Sequence, residues 1–141
     1  MRYHVVAVGR VKDPALRAAC DEYLERLRHY TPVDVREVKD GDRVLPAIPR
    51  EARLVALSRT GKQWSSRALA AETARWDLEG RDVTFAIGGA EPLSADVLAQ
   101  AEVVWSLSAL TFPHEVARLV LLEQLYRAHT IRRGEPYHRG P

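Results

Sequence analysis

Short β-branched runs alternate with amphipathic helical runs along most of this chain, and that alternation limits the fold more than any other feature. Strand patterns occupy residues 3–8, 33–38, 53–57, 82–87 and 103–105. Asp13-Pro14 opens a helix, with Asp13 suited to the N-cap and Pro14 to the first helical position. Leu16, Ala19, Cys20, Tyr23, Leu24 and Leu27 then share one helical face, with charged residues on the other. Ser65 or Ser66 caps a second helix running to about Asp77, which Gly80 closes. Ser94 caps a short third helix, and a long one runs from about Pro113 to Thr130 with Thr111 as its N-cap. Residues 39–50 carry the least pattern, and Pro46 and Pro49 exclude a regular helix interior there. The order β-α-β-β-α-β-α-β-α predicts an α/β fold with a mainly parallel sheet and flanking helices.

A chain of 141 residues suffices for one domain, expected to span residues 1–141, and is too short for two. Apolar residues make up 46%, which excludes disorder, and no run is long enough to span a membrane. The opening residues read as a strand rather than a signal peptide. A single cysteine, Cys20, rules out an internal disulfide, so a cytoplasmic protein with a buried, inert thiol is expected.

Net charge is only +2, so there is no global electrostatic argument for nucleic acid. Distribution says more. Residues 127–141 hold Arg127, Arg132, Arg133 and Arg139 with His129 and His138, against one acid, Glu135. This local basic end fits either a solvated tail or phosphate contact.

Three strand-to-loop junctions stand out: Leu57 with 58–62, Ile87-Gly88-Gly89, and Trp105 through Phe112. Ligands of open α/β sheets bind outside the carboxyl ends of strands. Gly-Gly lets a ligand approach the backbone, and Ser106, Ser108 and Thr111 offer hydroxyls. Neither a dinucleotide nor a phosphate-loop glycine pattern is present, and the five histidines lack metal-ligand spacing, so no metal is expected. A serine-hydrolase elbow is missing too, and His114 reads as structural. The last helix is apolar on nearly every side, which suits a core helix or one that meets another subunit.

Several separated segments, in order, resemble one family: Val6-Ala7-Val8-Gly9, Tyr23-Leu24, Leu57 with Gly61-Lys62, Ile87-Gly88-Gly89, Trp105 to Thr111, Pro113-His114, Leu125 to Ala128, and Pro136 to Arg139. Together they resemble the SPOUT-class large-subunit ribosomal RNA pseudouridine N3-methyltransferases over nearly the whole chain. The resemblance implies a SPOUT-like fold with a C-terminal trefoil knot, a homodimer with its active site near the subunit interface, and S-adenosylmethionine as cofactor. It assigns the cofactor to Leu57, Gly88, Leu107, Ser108, Ala109, Leu110, Thr111 and Phe112. It implies ribosomal RNA, or the assembled ribosome, as partner.

Two departures from the family are visible. The segment between the second and third strands is cut to roughly residues 39–52, and Pro92 stands where glycine is typical. For the chemistry, His138 is the expected base or proton relay, because imidazole titrates near neutrality. Tyr137 would stack on or hydrogen-bond to the target base, and Arg139 would hold a phosphate or developing oxyanion. Arg132, Arg133 and Arg139 are the expected RNA contacts. A SPOUT methyltransferase acting on transfer RNA, or a non-catalytic RNA-binding or ribosome-assembly dimer, are the competing readings.

Overall fold

All five β-branched runs enter one sheet, in the order β2-β1-β4-β3-β5 with every pair parallel. The computed structural model describes residues 1–137. Its strands are β1 (Tyr3–Val8), β2 (Val33–Val38), β3 (Arg53–Gln63), β4 (Val83–Ile87) and β5 (Val103–Ser106). Its helices are α1 (Pro14–Arg28), α2 (Val44–Ala47), α3 (Ser66–Glu79), α4 (Ala95–Gln100) and α5 (His114–Arg132), with a 3-10 turn over Gly41–Arg43.

Parallel strands covered by helices on both faces need apolar side chains on both. Tyr3, Val5, Ala7, Val55, Leu57, Val83, Phe85, Ile87 and Trp105 join the larger core with residues of α1, α3 and α5. Val6, Leu54, Ala56 and Ala86 point the other way, into a smaller core with Val44 of α2 and Val97 of α4. The sequence caps act as expected in three helices. Asp13 Oδ1 accepts from the amides of Ala15 and Leu16 at 2.9 and 3.0 Å. Ser65 and Ser94 cap α3 and α4 by accepting from Ala68 and Val97. Gly80 ends α3 at φ 77°, a left-handed position that favours glycine.

Three expectations need correction. The third strand does not stop at Leu57. Leu57 and Lys62 both pair with Trp105, so residues 58–61 leave the ladder as a four-residue excursion and β3 resumes to Gln63. Pro46 lies inside α2, which is tolerated because α2 is a single turn whose first amides have no intrahelical partner anyway. Thr111 does not cap α5: Pro113 takes that position without a side-chain hydrogen bond. Glu115, in the first turn, compensates by placing an acid at the helix N-terminus, and its Oε1 accepts from the amides of Lys12 and Asp13 at 3.0 Å each.

Candidate active site

The carboxyl ends of β3, β4 and β5 open on one cavity of about 470 Å³. That volume lies within the range of small-molecule and cofactor sites. Its wall is formed by the 58–60 excursion, by residues 87–93 after β4, and by the loop between β5 and α5. Of the residues the resemblance assigns to the cofactor, Leu57, Gly88, Leu107, Ser108, Leu110, Thr111 and Phe112 line it, whereas Ala109 is not among the lining residues.

Steric room explains the glycine pair. A Cβ on Gly88 would sit 2.8 Å from the Glu91 carbonyl oxygen, and one on Gly89 would sit 2.8 Å from that of Val8. Both contacts are with backbone, which cannot swing aside. The glycines therefore hold the 88–93 turn against β1 and keep the cavity wall in place.

Most hydroxyls offered by the sequence are engaged in building loops. Ser106 is buried and donates to the Ser108 carbonyl at 2.9 Å, while Ser108 Oγ accepts from the Leu110 amide at 2.9 Å. The Ser58 and Thr60 hydroxyls lie 2.9 Å apart and bond to each other. These bonds set the loop shape and leave the cavity wall largely apolar, with Leu57, Ile87, Leu107 and Phe112 present. Leu110 is 71% exposed at the rim. An apolar wall with nearby backbone groups fits a flat heteroaromatic base such as the adenine of S-adenosylmethionine.

Several lining residues had weaker sequence signals. His114, read as structural, lines the cavity from the first turn of α5, and Ala117 sits one turn on. Arg59, Glu91 and Pro92 also contribute. The nearness of His114 to the hydroxyl-rich loop was the available signal.

The C-terminal candidates divide. Gly134, at φ 66°, turns the chain back along α5. Tyr137 then donates its hydroxyl to Glu123 at 2.9 Å and lies 3.1 Å from the Tyr23 hydroxyl. Its ring meets Tyr126 edge-on at 4.7 Å, and the Arg127 guanidinium lies 5.1 Å away over it. Burial, then the bond with Tyr23, pushes its phenol pKa upward, so it stays protonated. Tyr137 is not among the residues lining the cavity of its own chain. Glu123 is nine residues along α5 from His114, roughly 14 Å at helical rise. His138 and Arg139 lie outside the described residues.

The basic end is smaller than the sequence suggests. His129 is buried, with Nε2 2.8 Å from the Tyr3 hydroxyl, and its ring stacks on Tyr30 at 5.4 Å. Burial, aided by Arg132, lowers its pKa to about 4, so it is neutral at pH 7 and adds no positive charge. Arg127 is paired with Glu123 at 2.8 Å. Arg132 is held by Asp77 at 3.0 Å, and Arg133 lies 5.2 Å from the Tyr30 ring centroid. Arg132 and Arg133 border a second, polar cavity of about 370 Å³ with Tyr30, Asp77 and His129. Among the described residues no three metal-ligating side chains converge, and no helix is long and apolar enough to cross a membrane.

A family model described as "Predicted SPOUT methyltransferase" matches residues 1–138. A protein named "Ribosomal RNA large subunit methyltransferase H" from Sorangium cellulosum is 53% identical over 143 residues, covering 97% of this chain and 99% of its own. One of the same name from an Anaeromyxobacter species is 41% identical, covering 99% of this chain and 100% of its own. Among solved structures, a probable methylase family protein from Haemophilus influenzae superposes with a TM-score of 0.62 at 9% identity, over 99% of this chain and 70% of that one. A probable rRNA-methyltransferase from Porphyromonas gingivalis gives 0.58 at 12% identity, over 93% and 69%. At these identities the structural likeness supports the fold alone.

Proposed function

This chain belongs to the SPOUT methyltransferase family, and from that membership we propose that it transfers the methyl group of S-adenosylmethionine to N3 of a pseudouridine in large-subunit ribosomal RNA. The single observation that carries this reading is the 53% identity, over 97% of the chain, to a protein named for large-subunit rRNA methylation. The cavity supports it independently, because its largely apolar wall suits an adenosyl group.

When bound, S-adenosylmethionine supplies an electrophilic methyl group. The protein's main task is then to aim the acceptor nitrogen at it. Leu107 and Phe112 would flank the adenine, with the Gly88 backbone forming part of the wall beside it. The acceptor imide must lose its proton, and His138 is the residue we assign to receive or relay it. Arg139 steadies negative charge on the base or its phosphate. Tyr137 has its hydroxyl committed to Glu123, so we assign it to anchoring the tail rather than to stacking on the base.

We further infer the knotted topology and homodimer that the resemblance implies, with the cytoplasmic ribosome or its RNA as partner. Three observations favour a dimer. Leu110 is exposed beside the cavity, Val116 and Val120 remain only half-buried on α5, and Tyr137 is anchored away from its own cavity.

The test is methyl transfer from labelled S-adenosylmethionine to ribosomes lacking the modification, with the product nucleotide mapped by mass spectrometry. One added methyl on a large-subunit pseudouridine is expected. Cofactor binding without transfer to ribosomes would redirect the assignment to another RNA, and no cofactor binding at all would favour a non-catalytic binder.

A further inference from the structure

Arg59 occupies the middle of the four-residue excursion from β3, and it lines the mouth of the cofactor cavity. Its side chain is exposed and makes no ion pair or hydrogen bond among the described residues. Several other arginines around the sheet are committed. Arg53 bonds Glu79 and Glu102, Arg118 bonds Glu37, and Arg81 bonds Glu102. The neighbouring Lys62 ammonium lies 5.7 Å from the Trp64 ring centroid.

Holding a guanidinium here also involves the local backbone. Gly61 returns the chain to β5 so closely that a Cβ would collide with the Val104 carbonyl. The Ser58–Thr60 hydroxyl pair closes the turn beneath Arg59. The excursion is thus pinned at both ends and carries its cation outward. Among the described residues, the other ionisable side chains lining the cavity are Glu91 and His114.

A sulfonium cofactor is repelled by a cation placed against it, so Arg59 is matched to an oxyanion. Under the methyltransferase reading two oxyanions are candidates for it: a phosphate of the RNA backbone and the carboxylate of the cofactor. Exposure favours the phosphate, because an exposed cation at the cavity mouth is open to an incoming polymer. Resting on the methyltransferase reading, we propose that Arg59 grips a backbone phosphate beside the target nucleotide and so presents that nucleotide to the cavity. The guanidinium fork suits bidentate phosphate contact.

The experiment compares wild-type protein with Arg59→Ala and Arg59→Lys, using ribosomes lacking the modification as the RNA probe. Calorimetry with S-adenosylmethionine is run on all three. Arg59→Ala is expected to raise KM for ribosomes roughly tenfold with little change in kcat. The slope of log affinity against log salt should become shallower by about one unit. Arg59→Lys should retain the salt slope while losing part of the affinity. Cofactor affinity should match wild type in both variants. Weakened cofactor binding with an unchanged salt slope would overturn the RNA assignment in favour of the cofactor carboxylate. Unchanged KM and salt slope would overturn it outright. Cofactor binding by the wild-type protein separates these failures from failure of the methyltransferase reading itself. Because the Arg59 side chain is exposed and makes no ion pair or hydrogen bond among the described residues, circular dichroism of the variants should match wild type.

Discussion

His129 offers a quantitative check of the core around the C-terminal end of α5. It is 5% exposed, bonded to Tyr3 and stacked on Tyr30. Burial, then the Arg132 and Arg133 charges, lower its pKa from 6.5 to about 4, with Asp77 opposing. The unfolded chain therefore takes up a proton near pH 6.5 and the native protein only near pH 4. Its contribution to stability is complete above pH 6.5, is lost as pH falls between these values, and levels off below. At 1.36 kcal/mol per unit the full effect is about 3 kcal/mol, of which about 2 kcal/mol is lost between pH 7.5 and pH 5. Urea unfolding of wild type and His129→Gln at both pH values measures it. The variant starts less stable, because it loses the Tyr3 bond and the Tyr30 stack. Its stability should fall less on acidification, by about 2 kcal/mol. Groups elsewhere contribute equally to both proteins and cancel in the comparison. An identical pH dependence in the two proteins would refute the buried neutral imidazole.

Gly88→Ala should place a methyl against the Glu91 carbonyl, costing about 1–3 kcal/mol by overpacking. Calorimetry should show cofactor affinity reduced at least roughly tenfold, since the displaced turn is a cavity wall. Arg118→Ala removes the partner of Glu37 and the donor that bonds the Gly9 carbonyl at 2.9 Å; thermal unfolding should report a loss of about 3 kcal/mol. Tyr137→Phe removes the hydroxyl held by Glu123 and should cost about 1 kcal/mol. Its methyl-transfer rate should fall while cofactor affinity, read by calorimetry, stays unchanged.

The alternation of strands and helices was legible because parallel strands buried on both faces leave continuous apolar runs, and because Asp13, Ser65, Ser94 and Gly80 are local punctuation that needs no tertiary partner. The cavity loops were legible for the same reason: they sit where strands end. What escaped depended on distant contacts. The end of β3 cannot be read from residues 58–63 alone, since only Trp105 of β5 shows that pairing resumes at Lys62. His129 looks like a tail cation until Tyr3, 126 positions away, is placed against it. Ser106 and Ser108 have the composition of a ligand loop, yet their hydroxyls serve the loop itself. Of the proposed cofactor residues, Ala109 alone is not among those lining the cavity, although its neighbours Ser108 and Leu110 both are.

The distribution of charge bears on how large a substrate must be. Lys and Arg total 21 against 19 Asp and Glu, so attraction for RNA has to come from placement. Many arginines are tied to carboxylates, in the core or on helix surfaces. Arg59 sits at the cavity, and Arg133 together with Arg132, which Asp77 pairs, sits at the far end of α5. His114 and Arg132 bound that helix, and their separation of eighteen residues corresponds to about 27 Å. An RNA that touches both ends of one protomer must hold a rigid shape over at least that span. A hairpin shorter than that span, with its target nucleotide at the cavity, can reach Arg59 but not the far arginines of the same protomer, whereas an assembled particle can reach both. Replacing Arg132 and Arg133 with alanine should therefore weaken binding to ribosomes and reduce the salt slope by up to about two units. The same replacement should leave hairpin binding unchanged. Equal losses on both substrates would show that the far arginines act through folding or dimerisation rather than by holding RNA.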